Sequence, residues 1–304
     1  MTKTSKPIVF FGSGPVAAKS LELLAKDFSI EAVITKPRPA HHRGEVPVLD
    51  LAAKLQLPIH TVTNKKTLDE LIKTNPFSSD IAVLIDFGII VSQDAIDYFP
   101  LGIVNSHFSL LPEWRGADPI TFSILSGQKI TGVSLMLLTA GMDEGPLLGY
   151  GVHELSHDVT TPMLTEQLIL LSNALLQHIL PKYISGDVKA QPQTPEIEPT
   201  YSRKLTKEDS ILEWRKAADA LEREIRAFIE WPKSRATFGG VEVVITKAHV
   251  VNEAGEPGTL AIHNKQLLIY CGKDALIIDL LKPAGKKEMT GQAFLAGYRK
   301  YLPI

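Results

Sequence analysis

What most constrains this chain is the way its first 180 residues alternate short apolar runs with stretches of helical period. Pro7 to Phe11 (PIVFF) reads as a buried strand running into Gly12-Ser13-Gly14-Pro15, and Val16 to Leu24 follows with Ala18, Leu21 and Leu24 at helical spacing. Ile30 to Thr35 is a second strand, Val48 to Leu57 a helix stopped by Pro58, and Asp80 to Ile85, Leu101 to Asn105 and Gly132 to Leu138 are further strands. Asp118-Pro119 opens a helix, aspartate being a good N-cap and proline suiting the first helical position, and Gly127 can close it. Residues 160–184 carry a long amphipathic pattern. Apolar strands alternating with helices predict an α/β domain: an open, mainly parallel sheet with helices on both faces. Ligands of such sheets bind outside the carboxyl ends of the strands.

The pattern changes near residue 187. Asp187 to Thr200 (DVKAQPQTPEIEPT) has three prolines and no helical period, so it reads as an extended linker. Beyond it come a helix, Ala217 to Phe228, and the short strand-like runs Val241 to Ile245, Gly258 to Ile262, Gln266 to Tyr270 and Ala275 to Leu281. Gly239-Gly240 and His263-Asn264-Lys265 sit at turns between them. Short strands at this spacing predict a small β-barrel-like domain. The expected organisation is a first domain over 1–186, a linker over 187–202 and a second domain over 203–304.

Composition excludes several classes. A chain of 304 residues with 44% hydrophobic and 22% charged residues is ordinary globular usage, ample for a real core. One cysteine, Cys271, allows no disulfide framework and no cysteine metal site. No apolar run reaches the roughly 18–20 residues of a membrane span, and Met1 to Lys6 is polar, so no signal peptide is read and a cytoplasmic enzyme is expected. The net charge of −2 hides an asymmetry: residues 1–200 balance to −6 and residues 201–304 to +4. A basic second region hints at a polyanionic partner, although four charges over about 100 residues are also ordinary surface variation.

The candidates for chemistry are few. Gly12-Ser13-Gly14 after a strand invites a dinucleotide reading, but position 17 is alanine and no acidic residue closes the second strand, so a tight turn is the simpler reading. Asn105-Ser106-His107 ends an apolar strand, and residues two apart on a strand share a face, so Asn105 and His107 can converge. An amide can donate to a developing oxyanion while an imidazole manages a proton, without a metal. Gly141-Met142-Asp143-Glu144-Gly145 exposes a carboxylate after another strand, where it can accept a proton or orient His107. Each feature alone is more often a cap or a turn. His41-His42 lacks a third ligand, His60, His153 and His157 lack useful spacing, Ser109 is in no nucleophile elbow, and Cys271 lies in an apolar run.

Together, Asn105 to Pro119 (NSHFSLLPEWRGADP) and the later Gly141 to Gly145 (GMDEG) closely resemble the formyltransferases that use 10-formyltetrahydrofolate. Tyr201 to Leu205, Asp209 to Trp214, Arg226 to Phe228, Trp231-Pro232 and Lys282 to Lys287 look like the C-terminal domain of the family's methionyl-tRNA branch, so the resemblance covers essentially the whole chain. It implies a Rossmann-like folate domain followed by an OB-like barrel. It also implies 10-formyltetrahydrofolate as co-substrate, no metal, and initiator methionyl-tRNA as partner, with no DNA or membrane; nothing demands more than a monomer. Asn105, His107 and Asp143 match the family's catalytic trio; Ser109, Leu110, Leu111 and Pro112 match its tetrahydrofolate segment. Phe87, Gly88, Ile89 and Ile90 fall where its pterin pocket has backbone contacts. Arg38, Arg43, Arg203, Lys204, Lys282, Lys286 and Lys287 are the candidate tRNA contacts, phosphate being read by lysine and arginine.

The chain departs from the family at Asp86-Phe87-Gly88, where Ala-Tyr-Gly is frequent, at Phe108, where glycine commonly follows the histidine, and at Lys36 to Pro47, a loop shorter and less basic than in many members, with Glu45 where lysine is frequent. Alternatives remain at this stage. The same trio serves sugar-nucleotide and glycinamide-ribonucleotide formyltransferases and 10-formyltetrahydrofolate hydrolases. The basic second domain favours tRNA, and an RNA-binding protein without catalysis would be expected to lose the trio.

Overall fold

The computed structural model describes residues 6–41, 43–194 and 196–302, so the polar start and His42 lie outside the described residues. The chain divides into two compact units: Met1–Pro119 with Ile130–Glu154 and Thr165–Ser202, and Ile120–Lys129 with Leu155–Leu164 and Arg203–Ile304.

The first unit runs β1 (Ile8–Phe11), α1 (Pro15–Asp27), β2 (Ile30–Thr35), α2 (Pro47–Lys54), β3 (Ile59–Thr61), α3 (Lys65–Lys73), β4 (Ala82–Leu84), α4 (Gln93–Asp97), β5 (Ile103–His107), β6 (Arg115–Gly116), α5 (Pro119–Ser126), β7 (Ile130–Leu137), β8 (Leu147–Glu154), α6 (Thr161–Ser185) and β9 (Tyr201–Ser202), with parts of α5 and α6 assigned to the second unit. Seven strands form one sheet in the order β3-β2-β1-β4-β5-β7-β8. Pairings from β3 to β5 are parallel, while β5–β7 and β7–β8 are antiparallel. The parallel strands are apolar because both faces are covered: every residue of β1 is buried. The strand order reverses between β1 and β4, a switch point that opens a crevice at the strands' carboxyl ends. The proline-rich stretch is extended and hydrogen-bonded within this unit: Leu147 and Gln191 exchange two backbone bonds, and β9 pairs with β6.

The second unit adds α7 (Ala218–Ala227), β10 (Ser234–Phe238), β11 (Val241–Val251), β12 (Leu260–His263), β13 (Gln266–Tyr270), β14 (Ala275–Pro283), β15 (Met289–Thr290) and α8 (Gly291–Tyr298). Its sheet is antiparallel, in the order β10-β11-β14-β13-β12 with β15 on β14. Leu221 and Ile225 of α7 and Phe294 of α8 close its core over Phe238, Ile245, Leu267, Ile269 and Ile278. Cys271 belongs to this core, and burial pushes its thiol up to about 11, which keeps it unreactive. Among the described residues no helix is long and apolar enough to cross a membrane.

Candidate active site

β5 ends on the chemistry. Asn105 and His107 share one face of the strand, and Ser106 faces the other way, its Oγ 2.7 Å from Ser172 Oγ on α6. The strand continues to His107 because β7 runs beside it, with Asn105 opposite Met136 and His107 opposite Ser134. Both residues are buried.

Asp143 enters from the turn between β7 and β8. The turn is tight: a Cβ at Gly145 would lie 1.8 Å from the Leu137 carbonyl oxygen. Asp143 itself adopts φ of 51°, the left-handed region that aspartate tolerates better than most residues. Its Oδ1 accepts from Asn105 Nδ2 at 3.4 Å, and its Oδ2 accepts from the Gly116 backbone N–H at 2.7 Å and stands 3.7 Å from His107 Nδ1. His107 Nε2 lies 2.9 Å from the Trp114 carbonyl oxygen. A carbonyl only accepts, so this nitrogen carries a hydrogen and Nδ1 is the one that faces Asp143. The structure therefore brings Asn105, His107 and Asp143 into one cluster.

The segment after β5 is folded back on itself. Ser109 is fully buried; its Oγ donates to the Glu113 carbonyl at 2.5 Å, and Ser134 Oγ donates to the Ser109 carbonyl at 2.8 Å and accepts from Leu111 N at 3.0 Å. Ser109 thus shapes the turn through Leu110, Leu111 and Pro112, whose Leu111-Pro112 peptide is cis. Past β4, Phe87 is buried and packs edge-on against Phe11 at 5.3 Å, Gly88 has φ of 64°, Ile89 is partly buried, and Ile90 is 77% exposed.

Asp86, which departs from the family pattern, lies in the same loop. Its backbone oxygen accepts from Ser13 N and Gly14 N, tying the turn before α1 to the end of β4. Burial pushes its carboxyl up to about 6, with the Lys36 ammonium working in the opposite direction.

Arg38 is engaged by Asp50 Oδ1 and the Gly44 carbonyl, while Arg43 is exposed; both belong to the first unit. In the second unit Arg203 forms a two-pronged pair with Asp209, holding that carboxyl well below the usual range. Lys204, Lys286 and Lys287 are exposed. Lys282, exposed on β14, lines a cavity of about 370 Å³ with Trp214 and Arg235.

Three features of the cluster escaped sequence reasoning. The Gly116 N–H and the Trp114 carbonyl are backbone atoms with no residue signature. Gln193, from the stretch read as a linker, donates from Nε2 to the carbonyls of Asp143 at 2.7 Å and Gly145 at 3.0 Å.

Comparison with known proteins agrees with this architecture. Residues 6–179 match the formyl transferase family, and residues 204–299 match the formyl transferase C-terminal domain. A methionyl-tRNA formyltransferase of Myxococcus xanthus is 34% identical over 301 residues, covering 97% of this chain and 96% of that protein. One of Roseiflexus castenholzii is 33% identical over 304 residues, 96% of each. Among solved structures, the N-formyltransferase of Helicobacter canadensis in complex with folinic acid and dTDP-3-aminofucose has a TM-score of 0.69 at 19% identity, covering 90% of this chain and 98% of that one. HypX of Aquifex aeolicus in complex with tetrahydrofolic acid has a TM-score of 0.64 at 16% identity, covering 96% of this chain and 47% of that one, so this chain spans about half of it. These structures share the fold; the end-to-end likeness at a third identity goes further, and by it the chain belongs to the methionyl-tRNA formyltransferase family.

Proposed function

We propose that the chain transfers the formyl group of 10-formyltetrahydrofolate to the α-amino group of methionyl-initiator tRNA, at Asn105, His107 and Asp143, and that it does so in the cytoplasm for translation initiation. The observation that carries this reading is the full-length likeness to methionyl-tRNA formyltransferases. That two structural neighbours are complexes with folinic acid and with tetrahydrofolic acid supports a folate as formyl donor. In this reading residues 1–186 carry the chemistry, 187–202 connect, and 203–304 offer the tRNA surface.

The reaction is acyl transfer. The neutral amine attacks the formyl carbon, the carbonyl oxygen takes on negative charge, and the bond to N10 then breaks as N10 gains a proton. Asn105 Nδ2 has a second hydrogen free to meet the oxyanion, its contact with Asp143 being a long one. His107 carries a hydrogen on Nε2 for the Trp114 carbonyl, so a further hydrogen on Nδ1 makes the charged ring that meets the same oxygen. Asp143 Oδ2 uses one lone pair on Gly116 N–H and keeps another for the amine's proton, which passes on to N10 through a relay. Exposed Ile90 offers a flat ring an apolar surface beside the backbone of Phe87 and Gly88, and Ser109 serves by shaping the turn of Leu110, Leu111 and Pro112.

The test is formyl transfer from 10-formyltetrahydrofolate with four acceptors in parallel: methionyl-initiator tRNA, a sugar-nucleotide amine, glycinamide ribonucleotide and water. Formylmethionyl-tRNA is the expected main product. Comparable or faster turnover with a small amine or with water would overturn the tRNA assignment.

A further inference from the structure

The turn that presents Asp143 is held by groups that have no part in the chemistry. Asp143 sits at a positive φ, so its attitude depends on what surrounds it. Gln193 donates both hydrogens of its amide to that turn, one to the Asp143 carbonyl at 2.7 Å and one to the Gly145 carbonyl at 3.0 Å. Its Oε1 accepts from Arg115 Nη2 at 2.6 Å. Arg115 precedes Gly116, whose N–H is bonded to the Asp143 carboxylate. One chain of contacts therefore grips Asp143 by its backbone through Gln193 and by its side chain through Gly116.

The stretch bearing Gln193 is itself pinned on both sides. Upstream, Gln191 and Leu147 exchange backbone bonds of 2.6 and 2.8 Å. Downstream, Thr200 accepts from Arg115 N at 2.9 Å and, through Oγ1, from Trp114 N at 2.9 Å. Trp114 is the residue whose carbonyl meets His107. The bridge at Gln191 thus brings position 193 opposite the Asp143 turn.

We propose that Gln193 is a positioning residue for formyl transfer: it holds the Asp143 turn, and through Arg115 the Gly116 N–H, so that the carboxylate faces His107 and the incoming amine. The proposal rests on the reading of Asp143 as the proton acceptor. Only an amide meets the demand. A glutamate here has the same shape but turns oxygens toward two carbonyl oxygens, and a methionine fills the space without donating.

The experiment is a double-mutant cycle on the full-length protein, with Gln193→Glu and Asp143→Asn alone and combined, assayed by formyl transfer to methionyl-initiator tRNA. Gln193→Glu is expected to lower kcat about 10- to 100-fold, the scale of a misplacement near 1 Å, with KM for both substrates within about twofold. Gln193→Met repeats the test without a new charge. Because Gln193 acts through Asp143, the double variant falls no lower than Asp143→Asn alone. Wild-type kcat in both Gln193 variants, or losses that multiply in the double variant, overturns the proposal. Full turnover in Asp143→Asn instead overturns the reading of Asp143, so the two failures are distinguishable.

Discussion

Nδ1 of His107 and Oδ2 of Asp143 face each other across 3.7 Å. That is too long for a hydrogen bond between them, so in the proposed reaction Nδ1 is left to meet the oxyanion and Oδ2 to take the amine's proton. The arrangement predicts that each group acts on the substrate. Asn105→Ala and His107→Ala are each expected to lower kcat about 100- to 1,000-fold, the usual cost of one oxyanion donor, while the protein stays folded. Steady-state formyl transfer with a thermal melt on each variant checks this. A folded His107→Ala with near-normal turnover removes the imidazole from the mechanism.

The turn of Asp143 also fixes a steric expectation. A Cβ at Gly145 would meet backbone, the Leu137 carbonyl oxygen at 1.8 Å, and backbone cannot swing aside as a side chain does. Gly145→Ala is therefore expected to shift the turn, lowering kcat by at least tenfold through Asp143 as well as lowering Tm. An active, fully stable Gly145→Ala protein would show that the turn relaxes without moving the carboxylate.

Much of this is legible in the sequence because it is carried by side-chain types at fixed spacing. Strand periods locate β1, β2, β5, β7, β13 and β14, and Asn105, His107 and Asp143 stand out as polar groups at strand ends. β8 escapes because Gly149 and Gly151 interrupt its apolar run, so Leu147–Glu154 lacks a strand's continuous signal. The apolar run of β5 predicts a stop at Asn105; the strand extends to His107 because Ser106 finds Ser172 and β7 lies alongside to pair, partners distant in sequence. Gln193 is hidden for the opposite reason: the prolines around it carry the signal of a linker, and only the fold shows its side chain reaching two carbonyls.

Asp86 makes stability depend on pH. Its carboxylate is pressed against Gly14, where a Cβ would lie 2.0 Å from Oδ2, although its outer side is open to solvent. Burial pushes its pKa up to about 6, above the usual carboxylate range. The folded state then binds the proton more tightly than the unfolded chain. Its contribution to stability is full below about pH 4 and is lost as pH rises through about 6. Asp86→Asn removes that loss, giving about 1 kcal/mol at pH 7.5 after solvent screening and nothing at pH 4. Urea denaturation at both pH values checks the sign; an equal gain at both would point to packing instead of charge.

The second unit holds a mostly buried pair whose removal is unequal on its two sides. Arg226 donates from Nε and Nη2 to the Glu222 carboxylate at 2.6 and 2.9 Å, and from Nη1 to the Val159 carbonyl at 2.7 Å. Arg226→Met strands a buried carboxylate and is expected to cost about 3–5 kcal/mol. Glu222→Met with Arg226→Met together should recover most of that, leaving the Val159 carbonyl without its donor at about 1–3 kcal/mol. Chemical denaturation of the two variants beside the wild-type protein measures both. A double variant no more stable than Arg226→Met would mean that the loss comes from packing of the arginine stem.

The exposed lysines on and after β14 lead to a prediction about salt. Lys286 and Lys287 are exposed in the turn after β14, and Lys282 is exposed on β14 itself. Arg203, by contrast, is already paired with Asp209, so its charge is partly spent inside the protein. The lysines are then better placed than Arg203 to meet phosphate. Each phosphate that a lysine neutralises releases counterions, so affinity falls with salt, and each phosphate left without its lysine flattens that dependence by roughly one in logarithmic slope. Lys286→Glu with Lys287→Glu should weaken tRNA binding and flatten its salt dependence by about two, whereas Arg203→Ala should change the slope by less than one. Formyl transfer at saturating tRNA should stay within about twofold of normal, because phosphate contacts position the RNA and take no part in the chemistry. Titrations of methionyl-initiator tRNA at several salt concentrations decide the matter: an unchanged slope in the double lysine variant would move the RNA surface away from β14.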